Sequence, residues 1–160
     1  MEQALFAAGC FWGVQYYFDQ VPGVVKTTAG YTGGNTKNPA YEQVLTHTTG
    51  HAEAVLIEFD PKVVSYETLV RQFFYMHDPT QLNRQGPDIG DSYRSALFVM
   101  DDHQRTIATV LRDESGRAFD KPIVTEITAA SEFYPAEEYH QKFAEKTGHG
   151  MCHVPYKALS

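Results

Sequence analysis

Hydrophobic positions along this chain follow two rhythms. Residues 3–8 (QALFAA) form a short apolar run that stops at Gly9 and reads as a strand delivering the chain into the next element. Beyond Cys10, the apolar positions Trp12, Tyr16 and Tyr17 recur at helical spacing until Val21-Pro22-Gly23 breaks the pattern. A strand therefore feeds a helix whose first turn carries Cys10. Residues 24–31 form a second strand candidate, closed by Gly33-Gly34-Asn35, and residues 52–59 (AEAVLIEF) alternate as a third before Asp60-Pro61. Ser65, three residues ahead of Thr68, reads as the N-cap of a helix running through Leu69, Phe73 and Met76.

Residues 95–100 make another strand, and residues 101–114 a helix with Ile107, Val110 and Leu111 on one face. Residues 123–129 are expected as a further strand, 135–146 as a last helix, and the remainder as an irregular, glycine-punctuated C-terminal tail. The polar stretch 78–91 has no periodicity, and a loop of that length inside a compact domain points to function. Strands and helices alternate throughout, so the expected class is α/β or α+β with a mixed sheet. With 160 residues, 42% of them hydrophobic, the chain suffices for one well-buried core and is too short for two ordinary domains. Residues 1–160 are read as a single domain.

A formal net charge of -7 argues against the basic face that phosphate binding requires, so nucleic acid is not expected as a partner. The start, Met1-Glu2-Gln3, lacks a basic leader, and no segment is long and apolar enough to cross a bilayer. A cytoplasmic protein is the resulting expectation. Only two cysteines are present, Cys10 and Cys152, too few for a disulfide scaffold.

Cys10 sits where chemistry favours a thiolate. A thiol of ordinary pKa, about 8.5, needs help to ionise, and unpaired N–H groups with the macrodipole of a helix start supply it. The residues alone leave open whether Cys10 is such a nucleophile or a small buried residue. Phe11 and Trp12 are placed either to wall an apolar pocket or to pack in the core. Glu53 starts a strand among apolar neighbours, where burial would favour its protonated form, although many strand-end glutamates are merely solvated.

Six strings along the chain then resemble one family. Gly9-Cys10-Phe11-Trp12-Gly13 is similar to the nucleophile signature of the A-type peptide methionine sulfoxide reductases. Gly50-His51-Ala52-Glu53-Ala54-Val55 resembles the segment that supplies their catalytic acid. Tyr41, in Asn38-Pro39-Ala40-Tyr41-Glu42, and Tyr93, in Ser92-Tyr93-Arg94-Ser95, match the two tyrosines beside that acid. Asp88, in Asn83-Arg84-Gln85-Gly86-Pro87-Asp88, matches an aspartate that helps hold the substrate, with Pro87 standing where asparagine is expected. Ala136-Glu137-Glu138-Tyr139-His140-Gln141 matches a further segment. A lone helical histidine is more often structural, and the chemistry calls for an acid, so His140 is left out of the catalytic set.

The resemblance implies a two-layer α/β roll around a mixed sheet with a ferredoxin-like core, and reduction of the S epimer of methionine sulfoxide, free or in proteins. It implies that Cys10 attacks the sulfoxide sulfur, that Phe11 and Trp12 receive the S-methyl group, and that Glu53, Tyr41 and Tyr93 serve the departing oxygen. No metal or organic cofactor is implied, and the chain is expected to act as a monomer. A sulfenic acid on Cys10 condenses with a second thiol, for which Cys152 is the one candidate, just after Gly148 and Gly150 in the tail; a thioredoxin-like dithiol would reduce the product. Zinc binding by His149, Cys152 and His153 is the weaker alternative, since three ligand types in five positions lack paired spacing. A thiol peroxidase and a non-catalytic binder of oxidised methionine remain the rival functions.

Overall fold

The computed structural model describes residues 1–46, 48–143 and 146. Strand β1 spans Glu2–Ala8, helix α1 Phe11–Asp19, β2 Val24–Thr32, the short helix α2 Tyr41–Leu45, β3 Ala52–Phe59 and helix α3 Tyr66–Met76. There follow a small hairpin of β4 (Arg84–Gln85) and β5 (Asp88–Ile89), then β6 at Ser95–Val99, helix α4 at Asp102–Ser115, β7 at Glu126–Ala129 and β8 at Phe133–Pro135. The six longer-range strands form one sheet in the order β7-β6-β1-β3-β2-β8.

Within that sheet β1, β3, β2 and β6 pair antiparallel. The sequence β1-α1-β2-β3-α3-β6 with spatial order β6-β1-β3-β2 is the ferredoxin-like arrangement that was expected. β7 adds to one edge in parallel and β8 to the other antiparallel, so the sheet is mixed.

The pleat divides the apolar residues between two faces. Ala4, Phe6 and Ala8 of β1 join Val55, Ile57 and Phe59 of β3 under all three long helices, whose buried residues include Phe18, Phe73 and Leu111. The opposite face is smaller and built largely of alanine, with Leu5, Ala7, Ala52, Ala54, Ala96 and Phe98 packed against Leu56, Ala130 and Phe133. Glu53 shares the parity of Val55 and Ile57, which turns it toward the helical layer.

Local signals hold where they were strongest. Ser65 caps α3, its side chain accepting the Thr68 N–H at 3.1 Å, and Asp101 caps α4 through Gln104 N–H at 2.8 Å. Three expectations change. The strand expected at 123–129 shortens to β7, because the Val124 N–H is drawn to Pro79 O at 2.8 Å and Thr125 to the Ser95 hydroxyl. The loop 78–91 holds the β4–β5 hairpin and is laced by side-chain amides, with Gln85 pairing both peptide groups of Asp78 at 3.0 and 2.9 Å.

The helix expected over 135–146 is the clearest correction. Pro135 closes β8, and between it and Phe143, where helical backbone resumes, a single 3-10 turn forms at Glu138–His140. Gln141 is extended there, and Lys142 is left-handed with φ 60°. The reason is competition by distant partners. The Gln141 amide bonds both peptide groups of Ala29, at 2.9 Å each, and the Lys142 N–H donates to Gln15 Oε1 at 2.8 Å. Those bonds replace the i-to-i+4 ladder.

Candidate active site

The β1–α1 junction builds the first part of the site. Gly9 adopts φ 96°, a conformation that side-chain-bearing residues rarely take, and lets the chain turn sharply from strand to helix. Cys10 becomes the N-cap of α1 and is 9% exposed, which puts the residue at the positive end of the helix dipole with little solvent around it. The Phe11 N–H, the first of those donors, is taken by Glu53 Oε1 at 3.1 Å.

Glu53 reaches that position through the register of β3. It pairs with Tyr31 of β2, two residues from the start of its strand, and is 1% exposed. A carboxyl is seldom buried so completely without a task or a partner. Here it contacts the amide immediately after Cys10.

Two phenols complete this cluster. Tyr41 opens α2 and Tyr93 ends the 3-10 turn Asp91–Tyr93. Burial drives both phenol pKa values well above the ordinary value, and the charges of Glu53, Cys10 and Asp88 add to it in each case. Both therefore remain O–H donors at physiological pH. The shared electrostatics also show that Cys10, Glu53, Asp88 and the two phenols, though spread over most of the chain, occupy one locality. Asp88 lies on β5, half-buried, so Pro87 has not displaced it.

The aromatic pair after Cys10 divides its duties. Phe11 is fully buried, its ring 5.6 Å from Tyr31, 6.3 Å from Tyr41 and 5.1 Å from His140. Trp12 is partly buried and extends the same aromatic wall, 6.4 Å from Tyr41. Of the residues singled out in the sequence, Cys10, Phe11, Trp12, Tyr41, Glu53, Asp88 and Tyr93 are brought together. Cys152, with His149 and His153, lies outside the described residues.

Sequence reasoning passed over Glu137, Tyr31 and His140. The Glu137 carboxylate accepts the Tyr31 hydroxyl at 3.0 Å and the Tyr41 N–H at 3.1 Å, fixing the start of α2 against β2. Burial pushes its pKa up, but hydrogen bonds from its own N–H, Tyr41 and Tyr31, with the nearby His140, outweigh that and hold the carboxyl below its ordinary value. His140 is fully buried and accepts the Trp12 indole N–H at 2.9 Å. The only signal for Glu137 and His140 was the string 136–141, and Tyr31 showed only as part of the strand at 24–31; no local periodicity could reveal their partners.

Other hollows are separate from this cluster. A cavity of about 610 Å³ is lined by Asp78, Thr80, Gln81, Arg84 and the segment from Phe119 to Lys121. Another of about 630 Å³ lies between α3 and the end of α4, beside Phe74, His77 and Phe119. Among the described residues, no group of three histidine, cysteine or acidic side chains is arranged to hold a metal ion. No helix among them is long and apolar enough to cross a membrane.

Comparison with known proteins agrees with this chemistry. The family model for peptide methionine sulfoxide reductase matches residues 2–159. Peptide methionine sulfoxide reductase MsrA of Methanosarcina acetivorans is 55% identical over 150 residues, covering 92% of this chain and 80% of that protein. The MsrA of Geobacter sulfurreducens is 54% identical, over 95% of both chains. Among solved structures, Mxr1 of Saccharomyces cerevisiae in its reduced form superposes with a TM-score of 0.90 at 32% identity, covering 98% of this chain and 92% of that one. Mxr1 has also been solved in complex with Trx2, with a TM-score of 0.67 at 24% identity. With a thiol at a helix start, a buried carboxyl against it and relatives matching nearly end to end, the chain belongs to the peptide methionine sulfoxide reductase family.

Proposed function

We propose that this chain reduces methionine S-sulfoxide, free or within proteins, with Cys10 as nucleophile and Glu53 as proton donor. The observation that carries the assignment is the Glu53 carboxyl, 1% exposed and held by the Phe11 N–H next to Cys10. Thiolate and carboxylate would repel one another in so little solvent, so the reactive state pairs an anionic Cys10 with a protonated Glu53. The thiolate attacks the sulfoxide sulfur while the sulfoxide oxygen receives a proton from Glu53 and hydrogen bonds from Tyr41 and Tyr93. The protonated oxygen then passes from the methionine sulfur to the Cys10 sulfur as the S–O bond and the newly formed S–S bond both break, so that methionine departs and Cys10 is left as a sulfenic acid.

Trp12, backed by Phe11, forms the apolar wall for the S-methyl group, and Asp88 orients the polar part of the substrate. The Cys152 thiol then attacks the sulfenic sulfur, releasing water and leaving a Cys10–Cys152 disulfide. A thioredoxin-like dithiol restores both thiols, a reading supported by the Mxr1–Trx2 complex. Such a reductant is abundant in the cytoplasm, the compartment we assign.

One experiment tests the cycle. The reduced protein is mixed with one equivalent of methionine sulfoxide without reductant and analysed by mass spectrometry. One methionine released per chain with a Cys10–Cys152 disulfide is expected. Turnover of hydrogen peroxide but not of the sulfoxide would make the protein a thiol peroxidase. The Cys152→Ala variant should retain activity driven by dithiothreitol and lose that driven by thioredoxin; a thioredoxin-driven rate equal to the parent's would remove Cys152 from recycling.

A further inference from the structure

Trp12 is the one tryptophan of the chain and lies two residues beyond the nucleophile. Its position is set from outside its own helix. The indole Nε1–H donates to His140 Nδ1 at 2.9 Å, and the ring stacks on Phe143 with centroids 4.0 Å apart and planes 19° from parallel. His140 has no room to follow a moving partner. It is fully buried among Phe11, Tyr41 and Tyr139, with ring centroids 5.1, 4.3 and 4.1 Å away, and its backbone N–H bonds Glu137 O at 2.9 Å.

The hydrogen bond also dictates the state of the imidazole. An indole N–H only donates, so Nδ1 must accept and the proton sits on Nε2 of a neutral ring. Burial lowers the His140 pKa from its ordinary value, against the opposing pull of Glu137 and Glu42, and so maintains that neutral form. Trp12 is thus gripped at its polar edge by an acceptor and across its face by an aromatic ring.

We propose that His140, with Phe143 stacked behind the indole, is a positioning residue that sets substrate specificity: by fixing Trp12 it sets the size of the alkyl pocket beside Cys10 and the preference for S-methyl over larger S-alkyl sulfoxides. This rests on the reading of Trp12 as the wall for the S-methyl group. A tryptophan held only by its own helix can change rotamer and admit another carbon. A wall tied at two sides excludes it, and discrimination over one methylene reaches about 10–200-fold in a well-formed apolar pocket. His140 acts through Trp12 and needs no contact with substrate.

The test uses the full chain, with dithiothreitol as reductant and the S-sulfoxides of methionine and of its S-ethyl homologue ethionine as substrates. His140→Asn keeps an acceptor oxygen near the place of Nδ1, whereas His140→Leu keeps bulk without an acceptor. In His140→Leu the methyl-to-ethyl ratio of kcat/KM is expected to fall by roughly 10-fold, with KM for the methyl substrate raised more than kcat is lowered. Emission from Trp12 should shift to the red in the same variant. His140→Asn should restore both readouts to within about twofold of the parent ratio. Phe143→Ala gives the same direction with a smaller change and carries the test if His140→Leu does not fold.

An unshifted emission spectrum in the tested variant, or a shifted spectrum with the parent's methyl-to-ethyl ratio, overturns the proposal. So does failure of His140→Asn to restore the ratio lost in His140→Leu. Trp12→Ala separates this outcome from an error in the pocket itself: if that variant retains the parent ratio, Trp12 is not the alkyl wall, whatever His140 does.

Discussion

The β1–α1 junction and the segment from Ala136 to Phe143 meet at Trp12, yet they are built by opposite means. At the junction, regular structure does the placing: Gly9 turns the chain, the start of α1 presents N–H groups to Cys10, and strand register delivers Glu53 to the first of them. The second segment has one 3-10 turn and little other regular backbone. Its side chains reach outward, with Glu137 to Tyr31 and Tyr41, His140 to Trp12, and Gln141 to Ala29. The comparison teaches that secondary structure places Cys10 and Glu53, whereas long-range hydrogen bonds fix the aromatic side chains around them.

The largest expected effect lies at the junction. Cys10→Ser should abolish sulfoxide reduction in a dithiothreitol-driven assay, since an alcohol is a far poorer nucleophile than a thiolate; measurable turnover would move the nucleophile elsewhere. Glu53→Gln should slow the single-turnover release of methionine by roughly 100-fold or more, the usual contribution of a placed general acid. Unchanged single-turnover kinetics would take proton donation away from Glu53.

In the other segment the effects should be smaller and shared with stability. Glu137→Ala removes the acceptor of both the Tyr31 hydroxyl and the Tyr41 N–H, and is expected to lower unfolding free energy by about 1–3 kcal/mol and kcat/KM by roughly 10-fold. A loss of activity with no change in thermal midpoint would mean that Glu137 acts on the substrate directly.

The same carboxylate predicts a pH effect. Its pKa is lowered in the folded protein, so its stabilisation is present above the unfolded value, about 4.3, and is lost as pH falls through the folded one. The gap in thermal midpoint between the parent and Glu137→Gln should be constant above about pH 5 and narrow below about pH 4. A gap that widens on acidification would reverse the sign. The smallest expected effect is remote from both regions: Ser65→Ala should cost about 1 kcal/mol through the lost cap of α3 and leave kcat unchanged, as denaturant titration and steady-state kinetics would report.

Readability followed the same division. The alternation of residues 52–59 gave β3 at its observed bounds, and Ser65 marked the start of α3, because each depends on neighbours a few residues away. Cys10 at a helix start was visible for the same reason. The site assignments of Glu53, Tyr41, Tyr93 and Asp88 came through family strings, since their convergence spans several strands and loops. His140 was set aside as a structural histidine, and only the structure shows what its ring packs against: Trp12, Tyr41 and Phe11.

By itself, then, the sequence determined the alternating elements and the thiol at the head of α1, while its motif strings carried the family resemblance. The elements follow from backbone sterics, capping and periodicity, which act within a turn or two of chain. Tertiary structure decided that residues 136–142 would abandon the helix their pattern suggested, because partners on β2, α1 and α2 satisfy their polar groups at long range. It also decided the grip on Trp12, since the sequence separation of 128 positions between the indole and its imidazole acceptor is bridged by the fold alone.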